Sequence, residues 1–569
     1  MHGNLRARLE KYFSQAIQDA FGDSVPAEIA QSADDKFGHY QCNSALKLSK
    51  QVRLNPRAVA EKIIAHINKG EMISHLEIAG PGFINITLTS LFLSQEVGRI
   101  LHDRHLGVTI PPRQKVIVEF SSPNVAKELH VGHLRSTIIG DCLARVFEFL
   151  DQDVLRLNHI GDWGTQFGML IAYMQEHAPQ VLEGKETVDL PTLMHWYKAS
   201  KTQFDADPAF KKRAQLLVVS LQAKEPSVTH AWKIICAISR KAYQEIYALL
   251  DVKITERGES FYDPYLPAVV ESLQQKGLVS ISDGAKCVFL EGFEIPMIIQ
   301  KADGGYNYAT TDMAALRHRA SVEKAKRILY VVDLGQSLHF QMLFKAAEIA
   351  GFYNPAEILV EHVPFGVVLG PNGKKFKTRS GETEKLIDLL LEAVKEARRI
   401  FEERMPDAAP AELDHSAQVL GIGAVKYSDL SCNRVKDYVF SYERMLKFEG
   451  NTAAFMLYAY VRIQSIKRKV GKEISAHANV LVLEHPSEIA LGLHLCRFGE
   501  TLDSIARDLL PNRLTDYLYD LAEKFHAFFR DCRVEGSPQE ESRLILCETT
   551  GRILKKGLQL LGLETLERM

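Results

Sequence analysis

The spacing of apolar positions changes character along the chain. Leu5, Leu9, Tyr12, Phe13, Ala16, Ile17, Ala20 and Phe21 recur at helical intervals with charges between them, which predicts an amphipathic helix to about Phe21. A second helix is expected at 56–68. Beyond a turn-rich stretch, Ile73 to Leu88 alternates apolar positions around Gly80-Pro81-Gly82. Residues 1–110 therefore read as a small α/β domain, closed by Pro111-Pro112. From Lys115 the pattern turns to short β-rich runs followed by helices, with strands expected at 116–120, 154–159, 288–291, 297–300, 328–332 and 358–367. Strands and helices alternating in this way predict an α/β domain with a parallel sheet covered on both faces. Between Ala172 and Tyr262 the β signal fades and charged helical segments take over. A crossover that long exceeds one covering helix, so an insertion at about 172–262 is expected between two halves of a nucleotide-binding fold. From 441 to 569, Leu, Ile, Ala and Phe repeat at helical spacing, which predicts an all-α bundle. The expected domains are thus 1–110, 111–440 and 441–569.

A chain of 569 residues is too long for one hydrophobic core, in keeping with that division. No apolar run approaches the roughly 18 residues of a membrane span, and charges within the first helix argue against a targeting peptide. No membrane association is expected. Eight cysteines lie singly, with no Cys-x-x-Cys pair. Disulfide scaffolding and a zinc site are not expected, no other metal ligand set is visible, and a cytoplasmic location fits. A net charge of −2 excludes indiscriminate polyanion binding but leaves room for local basic patches.

The most informative stretch is Glu119 to Asp141. An apolar run stops at Ser121-Ser122-Pro123-Asn124, and a helical pattern resumes at Leu129. Such a turn is expected to present free backbone N–H groups and the imidazoles of His130 and His133 at one helix N-terminus, a natural phosphate site. Gly132 would let a ligand ring approach the backbone. Taken alone, His130-Val131-Gly132-His133 reads as well as two capping histidines with a packing glycine. A second motif, Lys374-Lys375-Phe376-Lys377-Thr378-Arg379-Ser380-Gly381, follows a strand-like run; its cations suit the charge that develops in phosphoryl or nucleotidyl transfer. Alone it reads as a solvated basic loop.

Together the two motifs resemble the paired signatures of class I aminoacyl-tRNA synthetases. Their surroundings narrow the resemblance to the arginyl-tRNA synthetase family: Ser122 to Lys127 leading into the histidines, His159-Ile160-Gly161-Asp162-Trp163-Gly164-Thr165-Gln166-Phe167-Gly168, Tyr308-Ala309-Thr310-Thr311-Asp312, Asp333 to Phe340, and Phe376 to Ser380. The resemblance runs along nearly the whole chain, including 542–569. It implies a Rossmann-like catalytic domain with an insertion, an N-terminal domain that touches the tRNA elbow, and a helical anticodon-binding domain. The implied reaction converts ATP, L-arginine and tRNA(Arg) to arginyl-tRNA(Arg), AMP and diphosphate through arginyl-adenylate. Mg2+ would accompany ATP, the enzyme would be a monomer, and activation would need tRNA.

The same resemblance distributes roles. Lys127, His130, His133, Lys377 and Arg379 would carry catalysis. ATP would meet Pro123, His130, Gly132, His133, Lys377, Thr378, Arg379 and Ser380. Phe376 and Arg379 stand where the broader class has lysines, and Lys127 is the implied replacement cation. A guanidinium demands carboxylates, and the arginine contacts implied are Glu119 and Asp312 on the guanidinium side, Tyr308 lining the pocket, and Asn124, His133 and Gln336 at the amino-acid end, with Ser122 beside them; from the residues alone, Glu119 reads equally as a strand-end charge and Asp312 as a surface helix acid. The His159 to Gly168 segment reads either as a turn near the adenosine or tRNA end, or as a turn with Trp163 packed beneath it. For tRNA the candidates are Phe83, Asn85, Tyr458, Arg462, Lys467 and Arg468, with Tyr460, Lys469 and Lys472 nearby, since cations meet phosphates and aromatics stack unpaired bases. A solvated helix face is the plain alternative. A class I synthetase for another amino acid would lack the acidic pocket, and a non-catalytic tRNA-binding paralogue would be expected to lose the histidines or the cationic loop.

Overall fold

Five parallel strands, in the order Leu359–His362, Arg327–Tyr330, Lys115–Glu119, Asp153–Asn158 and Thr255–Glu256, form the sheet on which the candidate site is built. The computed structural model describes residues 3–22, 24–370, 373–374, 385–471 and 481–569. The chain forms two compact units: Met1–Pro111 with Phe401–Val419 and Met445–Met569, and Pro112–Ile400 with Leu420–Arg444.

In the second unit, Val116, Ile117 and Val118 are all fully buried, as expected for a central parallel strand. Ile117, Leu157 and Ile328 join a core with Val269, Met313, Leu316 and Leu343 from the helices Leu266–Gln275, Tyr308–Ser321 and Ser337–Ile349. The helix Val131–Phe149 packs on the first two strands in sequence, where a Cβ at Gly140 would overlap the Phe120 ring. The sheet grows from Lys115–Glu119 outward to one edge, and the later strands add on the other side. Ligands bind at such a reversal, beyond the strand C-termini.

Two expectations change. The runs near 288–291 and 297–300 do not extend the parallel sheet: Val279–Ser282, Ala285–Val288 and Met297–Gln300 make a separate antiparallel sheet. Short connections that allow hairpins decide this, and they are invisible to a count of β-rich runs. The stretch read as an all-helical insertion also carries the strand Thr255–Glu256, whose two exposed polar residues give no β signal.

In the first unit, an antiparallel sheet ordered Ile29–Gln31, Tyr40–Cys42, Phe83–Leu88, Ile73–Ala79 is flanked by helices. Leu5–Phe21 and Pro56–Ala65 match the expected helices; Ser44–Val52 and Ser90–His102 are additional. The bundle comprises Ala453–Val470, Pro486–Cys496, Phe498–Asp508, Asn512–Asp531 and Glu540–Leu560. Buried Glu500 accepts hydrogen bonds from Tyr40 Oη at 2.6 Å, Gln31 Nε2 at 2.8 Å and the Arg6 amide at 3.1 Å, tying the N-terminal sheet and helix to the bundle.

Candidate active site

Beyond the ends of Lys115–Glu119 and Arg327–Tyr330 lies a cavity of about 490 Å³, at the point where the strand order reverses. Ser121 and Ser122 form one wall, Val331 to Asp333 another, and Phe365 to Val368 a third; His130 to His133 and Ser136 come from the helix start.

His130 is the N-cap of the helix Val131–Phe149. Its Nδ1 accepts the Gly132 amide at 3.0 Å, and His133 Nδ1 accepts the His130 amide at 3.1 Å. The His130 and Gly132 N–H groups are therefore used within the motif. A Cβ at Gly132 would crowd the His130 ring at 2.8 Å, so the glycine makes room for the cap while it also lines the cavity. The caps have a chemical consequence. With Nδ1 accepting, a neutral imidazole carries its proton on Nε2, so each ring keeps one donor for a ligand oxygen. Burial, the neighbouring imidazole and Lys127 hold His133 down to about 3, and burial and Lys127 lower His130. Both rings are neutral donors near pH 7.

The preceding loop is strained. Ser121, Ser122 and Ala126 have φ of 70°, 47° and 58°, left-handed values that cost non-glycine residues about 1–3 kcal/mol each. The helix Pro226–Leu249 of the insertion holds it: Tyr247 Oη lies 2.7 Å from Ser121 Oγ, Ser239 Oγ accepts the Ala126 amide at 3.0 Å, and Tyr243 Oη donates to the Asn124 carbonyl at 2.6 Å. Asn158 Oδ1 accepts the Ser122 amide at 2.9 Å. Pro123 is buried, and its carbonyl accepts the Gly161 amide at 3.0 Å. The exposed Asn124 abuts Gly161, where a Cβ would overlap its amide oxygen.

Lys377, Thr378, Arg379 and Ser380 lie outside the described residues, as does Lys472. The described flanks of the cationic segment both border the cavity's signature residues. Val368 lines the cavity, while Lys385 bridges His130 through the backbone and pairs with Glu128 at 2.7 Å.

The acids divide into two kinds. Glu119 is buried and forms an ion pair with the fully buried Arg319, so its charge is already met from within. Asp312 is different. It shares the start of the helix Tyr308–Ser321 with Tyr308, whose ring is 4.9 Å from that of His339, and its Oδ2 lies 2.7 Å from His339 Nε2. His159 Nε2 is 4.0 Å from its Oδ1. Beside it stands Glu259, a residue the sequence reading missed. Burial, Asp312 and Asp162 push its carboxyl up to about 8. Among the described residues neither Asp312 nor Glu259 has a lysine or arginine ion-pair partner. Two adjacent acids without a lysine or arginine partner among the described residues are chemically suited to a cationic ligand. Only the Gly258-Glu259 turn after the insertion offered a signal, and it is common to many loops. Gln336 is exposed, in the short turn Leu334–Gln336 next to the cavity residue Asp333.

In the first unit, Arg462 lies over the rings of Tyr458 at 4.9 Å and Phe529 at 5.1 Å, and donates to Tyr458 Oη at 2.6 Å. Lys467 pairs with Glu548 at 2.5 Å and Arg468 with Glu567 at 3.7 Å, while Tyr460 is buried. On the strand Phe83–Leu88, Phe83 is half-buried and Asn85 is buried, accepting from Gln41 Nε2 at 2.8 Å.

Comparison with known proteins places this architecture. Residues 96–442 match the family model for class I (R) tRNA synthetases, catalytic domain, which sets the class. Residues 7–88 match the arginyl-tRNA synthetase N-terminal domain, and 456–569 the DALR anticodon binding domain. The chain is 58% identical over 580 residues to the arginine–tRNA ligase of Protochlamydia amoebophila, covering 99% of each chain. It is 51% identical to that of Chlamydia abortus, covering 99% of this chain and 100% of the relative. The arginyl-tRNA synthetase structure from Plasmodium falciparum superposes with a TM-score of 0.89 at 34% identity over 100% of both chains. That from Thermus thermophilus gives 0.83 at 26% identity, covering 99% of this chain and 100% of the other. The chain belongs to the arginyl-tRNA synthetase family.

Proposed function

We propose that this chain activates L-arginine with Mg-ATP and transfers it to tRNA(Arg), releasing AMP and diphosphate. The observation that carries the choice of amino acid is the pair Asp312 and Glu259, which lies close to the strand ends and has no lysine or arginine ion-pair partner among the described residues. A guanidinium is planar and always charged, and it supplies the positive charge that the pair lacks. Tyr308 lines that end. Asn124, Ser122, Gln336 and His133 face the α-amino and carboxylate end; Glu119, already paired with Arg319, acts there from the end of its strand.

In activation the arginine carboxylate attacks the α-phosphorus in line, the bond to the bridging oxygen breaks, and diphosphate leaves. No protein nucleophile is required. Catalysis comes from position and from charge matched as it develops. His130 and His133 donate from Nε2 to phosphate oxygens, with Pro123 and Gly132 shaping that end. Lys127 and the segment carrying Lys377, Thr378, Arg379 and Ser380 supply cations, and Mg2+ arrives with ATP as part of the substrate. For tRNA, Arg462 with Tyr458 and Phe529 offers a charged stacking surface, Lys467 and Arg468 contribute flanking charge, and Phe83 meets the elbow, while the buried Asn85 supports its strand through Gln41. The enzyme acts as a cytoplasmic monomer; among the described residues no helix is long and apolar enough to cross a membrane.

Amino-acid-dependent exchange of diphosphate into ATP, measured with tRNA(Arg) present, tests this reading. Arginine should support exchange while lysine and citrulline do not; exchange driven equally by another amino acid would reject it.

A further inference from the structure

The segment His159 to Gly168 is a turn, yet it touches the short helix Glu259–Tyr262 and the residue before it at several points. Asp162 is buried, and its Oδ1 accepts the Ser260 amide at 2.8 Å while its Oδ2 accepts Ser260 Oγ at 2.5 Å. The Ile160 carbonyl accepts the Glu259 amide at 3.0 Å. The Trp163 backbone N–H faces the Glu259 carboxyl and favours its anion. Gly258 completes the fit, because a Cβ there would run into the Asp162 carboxylate. Asp162 is itself fixed from the insertion: its carbonyl accepts from Trp232 Nε1 at 2.8 Å, and the Trp163 and Trp232 rings meet edge to face at 6.2 Å.

Burying a carboxylate beside two other acids is unfavourable, and no lysine or arginine ion-pairs with Asp162 among the described residues. Both carboxylate oxygens accept from Ser260, which a neutral amide with a single acceptor oxygen does not reproduce. The placement is explained if the loop must hold Glu259 at one distance from Asp312. We propose that Asp162, acting through Ser260 and Gly258, is the positioning residue that fixes Glu259 opposite Asp312 and so sets the recognition of arginine. The proposal rests on the reading of Asp312 and Glu259 as the guanidinium receptor. It assigns the Gly-rich segment to the amino-acid pocket and not to adenosine or to the tRNA end. Supporting residues of this kind move affinity by about 10-fold or more when lost.

The test is steady-state diphosphate exchange with tRNA(Arg), in which the KM for arginine and the KM for ATP are read separately for Ser260→Ala, Asp162→Asn, Gly258→Ala and Glu259→Gln. Ser260→Ala and Asp162→Asn should raise the arginine KM by about 5- to 30-fold, with the ATP KM within about twofold of wild type. Gly258→Ala should do the same or more, and Ser260→Ala is small enough to carry the test if Gly258→Ala does not fold. If Glu259→Gln raises the arginine KM while Ser260→Ala and Asp162→Asn leave it unchanged, the positioning role is overturned and the pocket reading stands. An unchanged arginine KM in Glu259→Gln rejects the pocket reading itself. Equal rises in both KM values for Ser260→Ala would mark a general structural role and overturn the proposal.

Discussion

His133 Nδ1 accepts the backbone N–H of His130 at 3.1 Å, so the two histidines of the signature cap their helix with one nitrogen and offer the other to a ligand. The capping and functional readings of this motif are thus one arrangement. Removing His133 should slow adenylate formation by about 100-fold or more, the range for lost electrostatic stabilisation, with tRNA affinity nearly unchanged. Pre-steady-state adenylate formation and a tRNA binding assay check it, and equal losses in both would contradict it.

The same burial makes a statement about pH. Because His133 is held down to about 3, its ring gains no proton between pH 6 and pH 8, and burial and Lys127 lower His130 below the ordinary histidine range. The rate constant for activation at saturating substrates should therefore show no titration near about 6.5, the ordinary histidine value. A limb centred there would mean that a charged imidazole acts.

Glu259 predicts the opposite for arginine affinity. Its carboxyl, raised to about 8, is largely protonated in the free enzyme near neutrality, and a guanidinium binds its anion. The sign follows: the unbound pocket holds a proton that arginine must displace, so the arginine KM should fall as pH rises from about 7 to about 9. Asp312, Asp162 and the Trp163 backbone N–H face this carboxyl. Asp312 also faces His339 and His159. Glu259→Gln should flatten the profile; an unchanged slope would assign the titration elsewhere.

Breaking the buried Glu119–Arg319 pair should be costly. Arg319→Met leaves Glu119 buried without its cation, and single removal from such a pair costs about 3–5 kcal/mol. Thermal and urea unfolding of Arg319→Met, Glu119→Gln and the double variant would show this, with the double variant recovering part of the loss.

Much of this was legible in the residues. Val116 to Val118 announced a central strand, the helix spacing of Tyr308 and Asp312 put both on one face, and His130 with His133 marked the helix start. Contacts between distant segments were not legible. Glu119 carries no sign in its own neighbourhood that Arg319, on a helix 200 residues later, takes its charge. Glu259 sits on a turn of four helical residues, too short for any periodicity. Thr255–Glu256 is a strand only because Leu157 and Asn158 pair with it. Lys467 and Arg468 looked like free cations because Glu548 and Glu567, their partners, come from later in the chain.

The most direct measurement is the arginine KM of Asp312→Ala in diphosphate exchange with tRNA(Arg) present, set beside its ATP KM. Loss of a carboxylate that meets a fixed cation should raise the arginine KM by about 100-fold, from about 3 kcal/mol of charged hydrogen bonding, and leave the ATP KM within about threefold. An arginine KM that stays near the wild-type value would contradict the assignment of Asp312 to the guanidinium.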